Sequence, residues 1–251
     1  MPEDAARSGV SRGRLAAGRG VAASGLGWRS RLPAAAASAL LLASSVAVAP
    51  VAASTGVNAA SRHLDFDVYL GERRIGSQYF TLRRDGAVTE IETRARFAVK
   101  VLGLRAFAYD HQNRERWRDG CLQRIDSRTD SNGKAYRVAG RLEGGSFVVA
   151  AQSGEQRLAA CIGSFAYWDK RKLLGRERLL NPQTGDYLEV VVVPLGDSSV
   201  TVGARRVPVA RYALRGRDLD ITVAYELGSD EWVALESRLA GDRLLRYQRR
   251  G

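Results

Sequence analysis

Cysteine, histidine, methionine and proline are all scarce in this chain of 251 residues, which holds two Cys, two His, one Met and six Pro. Two cysteines exclude a disulfide-dense scaffold. Two histidines leave little for a zinc or copper site, so neither a metal nor a cofactor is expected. Lysine is nearly absent as well, with four against thirty-five arginines. No long hydrophobic run is present: the apolar stretch from Ala34 to Ala49 is rich in Ala and interrupted by Ser38, Ser44 and Ser45, short and weak for a membrane span. Nucleophile signatures are missing too. No G-x-S-x-G elbow and no Cys–His arrangement occurs, and Gly71–Ser77 mimics part of a phosphate loop without its Lys. What is there is an ordinary globular composition, 45% hydrophobic and 26% charged with 26 Gly, under a net charge of +12.

The first 53 residues do not read as fold. Arg7, Arg12, Arg14, Arg19, Arg29 and Arg31 precede the Ala34–Ala49 run, and Val51-Ala52-Ala53 then stands before Ser54. A basic flank, a short apolar core and small residues before a cut are the parts of a secretory signal. Cleavage after Ala53 is expected, with a retained membrane anchor as the alternative. Residues 1–53 are read as signal peptide, 54–62 as linker and 63–251 as a single domain. Six of the 39 basic and two of the 27 acidic residues lie in the leader, so the remaining 198 residues carry +8. An exported, periplasmic protein meets little nucleic acid. The expected partner is therefore an anionic or amphiphilic molecule of a Gram-negative-type envelope, with no stable membrane span once the signal is removed.

After the leader the pattern has period two nearly throughout. Leu64, Phe66, Val68 and Leu70 alternate with Asp65, Asp67 and Tyr69, and Ile91, Ala95, Phe97 and Val99 face away from Glu90, Glu92, Arg94 and Arg96. Turn signals recur at Asp85-Gly86, Asp119-Gly120, Asn132-Gly133 and Gly144-Gly145. Strands are expected to resume at Tyr187–Leu195, Ser199–Val202, Arg206–Leu214, Leu219–Tyr225, Trp232–Arg238 and Arg243–Gln248. One segment breaks the rhythm: Ser164–Leu174 has helical spacing behind a Ser that could cap it, and Asn181–Gly185 turns the chain back. These features predict an all-β fold, a large antiparallel sheet curled into an open or half-closed barrel with one short helical segment.

The most informative strand is Arg105–Arg118. Its even face past Ala108 is solvent-like, whereas its odd face carries Phe107, Tyr109, His111, Asn113, Glu115 and Trp117. Aromatic bodies around a titratable centre suit the wall of a ligand cavity, because His111 and Glu115 are costly to bury unpaired. The alternative is a structural network in which neighbouring strands satisfy both. Phe165, Tyr167 and Trp168 of the helical segment join the candidate lining residues. No catalytic residue is assigned, although His111 and Glu115 are the one candidate acid/base pair.

Cys121 and Cys161 would close a loop of about 40 residues if bonded; two buried free thiols are the other reading. Basic residues gather at expected strand ends, at Arg73-Arg74, Arg83-Arg84, Arg205-Arg206 and Arg249-Arg250, and at Lys170-Arg171-Lys172. A rim of that kind suits anionic lipid, and it also keeps a β protein soluble.

Leu64–Gly76, Asn113–Leu122, Phe165–Asp169 and Leu179–Gly185 together resemble the uncharacterised bacterial domain-of-unknown-function family numbered 6134, over nearly the whole chain from about His63 onward. The resemblance implies no established activity. More loosely, the family is similar to exported β proteins with large open barrels, including periplasmic lipoprotein carriers. That implies an apolar concave face under a helical flap, with Phe165, Tyr167 and Trp168 as flap side chains or as a permanent plug. The leading expectation is a binder or carrier of a lipid-like or amphiphilic ligand in the cell envelope. A structural or interaction module without ligand is the first alternative, and an envelope-polymer hydrolase using His111 and Glu115 the second.

Overall fold

The structure, a computed structural model, describes residues 60–101, 104–239 and 243–251. The expected signal peptide and most of the expected linker lie outside the described residues. Strands follow one another in chain order: β1 (Ala60–Leu70), β2 (Arg73–Asp85), β3 (Val88–Val101), β4 (Leu104–Arg118), β5 (Cys121–Ser131), β6 (Lys134–Glu143), β7 (Ser146–Ala151) and β8 (Gly154–Ala159). A connecting segment then contains the helix α1 (Lys170–Leu174) and a small pair, β9 (Arg178–Leu180) and β10 (Tyr187–Glu189). The chain ends in β11 (Val191–Val202), β12 (Arg205–Gly216), β13 (Leu219–Glu226), β14 (Trp232–Arg238) and β15 (Leu244–Arg249).

Thirteen of these strands form one antiparallel sheet in the order β11-β12-β13-β14-β15-β1-β2-β3-β4-β5-β6-β7-β8. The chain therefore starts at the centre, meanders to one edge at β8, crosses to the other edge at β11, and meanders back until β15 pairs with β1 from Phe66↔Arg249 to Leu70↔Leu245. Hydrogen bonds do not close the sheet between β8 and β11, so it is an open curl rather than a sealed barrel. The alternation dictates the burial. On β1, Leu64, Phe66 and Val68 are fully buried, and with Phe80, Leu82, Ile91, Trp117, Ile125, Val138 and Phe147 from the following strands they line one interior face. A smaller core, Val202, Val207, Val209, Ala224 and Val233, lies on β11–β14.

The hairpin links behave as their residues require. Asn132 and Gly133 both adopt positive φ, 55° and 86°, as do Gly144 and Gly145 at 57° and 78°, the primed-turn geometry that matches strand twist. Gly140 on β6 has another reason to lack a side chain. A Cβ there would stand 2.7 Å from Cε1 of the Phe147 ring.

Three expected boundaries are corrected. β1 begins at Ala60, so residues 60–62 belong to the sheet and not to the linker. The expected break between Leu195 and Ser199 is bridged by a continuous β11, which absorbs the irregularity as a bulge between Pro194 and Gly196. The helix is five residues long instead of spanning Ser164–Leu174, because Asp169 supplies its N-cap, its carboxylate accepting the Lys172 N–H at 3.2 Å. Ser164 cannot cap it: its backbone pairs with Leu180 in an isolated bridge and its hydroxyl is engaged elsewhere. Ala166 N–H donates to Ser164 C=O and Tyr167 N–H to Phe165 C=O, tight turns that hold 164–168 out of helical geometry.

Cys121, at the start of β5, is joined to Cys161 by a disulfide across 40 residues. The bond fastens the crossing segment where it leaves the β8 edge, beside the Leu122 N–H to Ile162 C=O hydrogen bond of 2.9 Å. Replacing both cysteines by Ala is expected to lower the unfolding free energy by about 4 kcal/mol on the loop-entropy estimate. Urea titration of the oxidised protein against the double variant measures it. Gly140→Val is expected to cost about 1–3 kcal/mol by overpacking against Phe147, whereas Gly144→Asn, in an open turn, should cost far less.

Candidate functional site

The connecting segment lies across the interior face of the curled sheet, and a cavity of about 240 Å³ remains between them. Three sets of elements build its wall. Strands β2–β4 contribute Gln78, Phe80, Thr93, Ala95, Tyr109, His111, Asn113 and Glu115; β13–β15 contribute Leu219, Ile221, Trp232, Leu235, Ser237, Leu245 and Tyr247; the segment contributes Phe165, Tyr167, Trp168, Asn181, Pro182 and Gln183. Rings meet where the cover touches the sheet, Tyr167 stacking on Trp232 at 5.4 Å between centroids and Trp117 lying edge-on to Trp168 at 5.7 Å, and within the β2–β4 set Phe97 stacks on Tyr109 at 4.5 Å. Two phenol hydroxyls tie the cover to the sheet, Tyr109 Oη donating to Gln183 Oε1 and Tyr225 Oη to the Tyr167 carbonyl, both at 3.0 Å.

Of the nine residues singled out by sequence, the structure places Tyr109, His111, Asn113, Glu115, Phe165, Tyr167 and Trp168 on the cavity wall. Trp117 is buried behind the wall, and half-buried Phe107 packs with Val68, Ala95 and Phe97 at the far end of β4. Sequence reasoning missed the entire β13–β15 wall. Its one signal is the apolar alternation of Leu219, Ile221 and Val223, which reads equally well as ordinary core.

A polar cluster sits in this wall, where polar and apolar side chains are about evenly mixed. Glu115 accepts hydrogen bonds from Asn113 Nδ2 (2.9 Å) and Ser164 Oγ (2.8 Å) on Oε1, and from Trp117 Nε1 (2.8 Å) on Oε2. Burial pushes the Glu115 carboxyl up from its ordinary range, against those three donors, which favour the anion. His111 Nδ1 pairs with Thr129 Oγ1 at 2.8 Å. Burial lowers the imidazole to about 4, opposed by the nearby Asp110 carboxylate, which raises it. Desolvation also raises the phenols of Tyr109, Tyr167 and Tyr247. The wall thus favours neutral side chains throughout.

One end of the cluster is unsatisfied. Asn113 is 95% buried and its Oδ1 has no partner, as has Ser127 Oγ on the adjoining strand. Turning the amide over would exchange the unpartnered acceptor for a donor, so either orientation leaves one end of Asn113 without a protein partner.

The arrangement does not make His111 and Glu115 a working pair. Four residues apart on an extended strand, they are separated by about 13 Å along the backbone, and each is hydrogen-bonded to other groups. The expected basic rim is likewise partly consumed in ion pairs. Arg74 and Arg250 both hold Asp67, Arg249 holds Glu231, Lys170 holds Asp230, and Lys172 binds its own cap Asp169. Among the described residues no group of His, Cys, Asp and Glu has the makings of a metal site, and no helix is long and apolar enough to cross a membrane.

A mixed polar and aromatic cavity under a tethered cover defines the class as an all-β protein, a curled 13-stranded antiparallel sheet with a pocket on its interior face. The family described as a domain of unknown function, DUF6134, matches residues 66–250, and the chain belongs to it. None of the curated protein sequences compared with it matches.

The neutral state of His111 makes a pH prediction. In the unfolded chain the imidazole takes up its proton near its ordinary value of 6.5, whereas in the fold it waits until about 4. The unfolded state therefore binds more protons between those values, and stability falls as pH drops through that window, by about 3 kcal/mol for this group. Urea unfolding at pH 6.5 and 4.5 should show a smaller loss in His111→Gln than in the parent protein.

Proposed function

We propose that this protein binds a small, uncharged amphiphilic molecule in the cavity between the curled sheet and its cover. The observation that carries the reading is the cavity itself, lined in part by aromatic and aliphatic groups and in part by the polar side chains of Gln78, His111, Asn113, Gln183 and Ser237. A ligand with one hydrogen-bonding group and an apolar body would pair with one of these polar side chains and fill the space beside Phe80, Phe165, Tyr167 and Trp232. The volume of about 240 Å³ is below the roughly 300–1,000 Å³ of pockets that enclose drug-sized ligands. A molecule of one or two rings or a single short acyl chain suits it better than a two-chain lipid. The side chains that favour neutrality argue against a charged head group inside the cavity.

The disulfide supports a site of action in an oxidising compartment, as the expected export signal does. In that setting the protein would hold or carry an amphiphile of the cell envelope. The neutral probe N-phenyl-1-naphthylamine, which has one N–H donor on an aromatic body, tests the reading. Its fluorescence should rise saturably with one probe per protein. Ser237→Trp, which plugs the cavity at its wall, should abolish the signal while far-UV circular dichroism is unchanged. A rise that does not saturate, or one that Ser237→Trp leaves intact, would overturn the proposal.

A further inference from the structure

The solvent face of the sheet between β4 and β8 carries a pattern that neither the cavity nor the core requires. Arg116 on β4 stands directly opposite Arg124 on β5, and Arg124 directly opposite Arg141 on β6. The same row continues through Val148 on β7 to Arg157 on β8. Across these five strands the line holds four arginines and no carboxylate, and its β4 end faces Glu90 on β3. A further like pair, Arg128 opposite Arg137, lies two side-chain repeats along, beyond the row of Asp126.

Like charges directly opposite one another destabilise an antiparallel pair. Elsewhere in this sheet arginines face acids, as in Arg96 with Asp110 at 2.7 Å, Arg215 with Asp220 at 2.6 Å and Arg246 with Glu72 at 2.9 Å. Within the row, Arg116 has only a long contact to Glu90 at 3.8 Å, and Arg141 pairs with Glu143 of its own strand. Arg124 and Arg157 are exposed and make no ion pair with the other described residues.

The row runs along two adjoining surface depressions, of about 520 and 350 Å³, that share Arg124 and Asp126. Carboxylates are present in them too: Glu90, Glu92 and Glu115 line the first and Glu143 the second, while Asp126 and Glu155 occupy the neighbouring row, one side-chain repeat or about 7 Å along the strands. The pattern is thus a single line of arginines with carboxylates around it, and not a diffuse positive surface. No aromatic side chain lines either depression.

We propose that this stripe is a docking groove for a linear polyanion, a polysaccharide with closely spaced carboxylate or sulfate groups, lying across the strands. Adjacent strands place Arg116, Arg124 and Arg141 at steps of about 5 Å, with Arg157 about 10 Å beyond. A polymer with a negative group on each short unit can meet that spacing, and each guanidinium fork takes an oxyanion two-pronged. Such a ligand also relieves the arginine–arginine opposition that the isolated sheet tolerates. The absence of stacking platforms disfavours single-stranded nucleic acid, and a depression fits a chain better than a flat bilayer.

The full chain is titrated with a fluorescein-labelled heparin fragment and followed by anisotropy at several salt concentrations. The triple variant R116Q/R124Q/R141Q should bind at least tenfold more weakly, with the slope of log K against log salt reduced by about 3. A control that removes the same charge elsewhere, R205Q/R206Q/R217Q, should change affinity less than twofold. The row variant should also melt at or above the parent temperature, since it removes like-charge opposition. Equal weakening by both triples, no binding by the parent protein, or preference for vesicles of equal phosphatidylglycerol and phosphatidylcholine over heparin would each overturn the proposal, as would a lowered melting temperature in the row variant. None of these outcomes touches the internal cavity, so the two proposals stand or fall separately.

Discussion

A meander that begins in the middle of a sheet can lay down strands on one side only. To build the other side, the chain must leave the finished edge and travel to the opposite one, and here it does so over the open interior face between β8 and β11. That single jump is the constraint on which the site depends. It converts a bare apolar trough into a covered one, and it places Phe165, Tyr167 and Trp168 against strands from both halves of the sheet. The cover is pinned along its length by unlike bonds: the disulfide where it departs, Ser164 on Glu115, and Tyr109 on Gln183 toward its far end.

Glu115 is the costliest of these attachments. A carboxyl taken out of water loses its hydration, and the fold answers with three donors, two from β4 and one from the cover. The donors would suit an anion and the surroundings suit an acid, so the group is held between two preferences. Its value to the fold lies in position: no apolar residue at 115 could specify where Ser164 sits. The neighbouring amide of Asn113 carries the remainder of the mismatch, which is why the same few side chains that fix the cover also leave one polar end free.

Much of the fold is legible in the chain because period-two alternation and Asn-Gly or Gly-Gly pairs state strand, face and turn locally. The alternating faces of β4 could be read for the same reason, down to Tyr109, His111, Asn113 and Glu115 on one side. Where local signals compete, the reading goes astray. Ser164 looks like a helix cap, yet its hydroxyl is claimed by a carboxyl 49 residues away in sequence, and Asp169 caps a much shorter helix. The β13–β15 wall is illegible because cavity wall and dry core use the same Leu, Ile and Trp. His111 and Glu115 suggest a chemical pair on the printed sequence, while strand rise keeps them apart. The arginine row is invisible until register is known, since Arg116, Arg124, Arg141 and Arg157 have no regular spacing.

The seam between β1 and β15 joins residues near the two ends of the described chain, Phe66 with Arg249. It lies at the middle of the sheet, not at a margin. Each half can zip as a run of neighbouring hairpins, but the halves cannot unite until the last strand has been made. Contacts of such long range are slow to form and leave unpaired edges waiting. During synthesis β1 therefore offers an unpaired, alternating apolar flank for as long as the rest of the protein is incomplete. A chaperone that shields extended segments would have its longest task here, and a chain released before β15 would present two open flanks, on β1 and on β14, ready to pair with other copies.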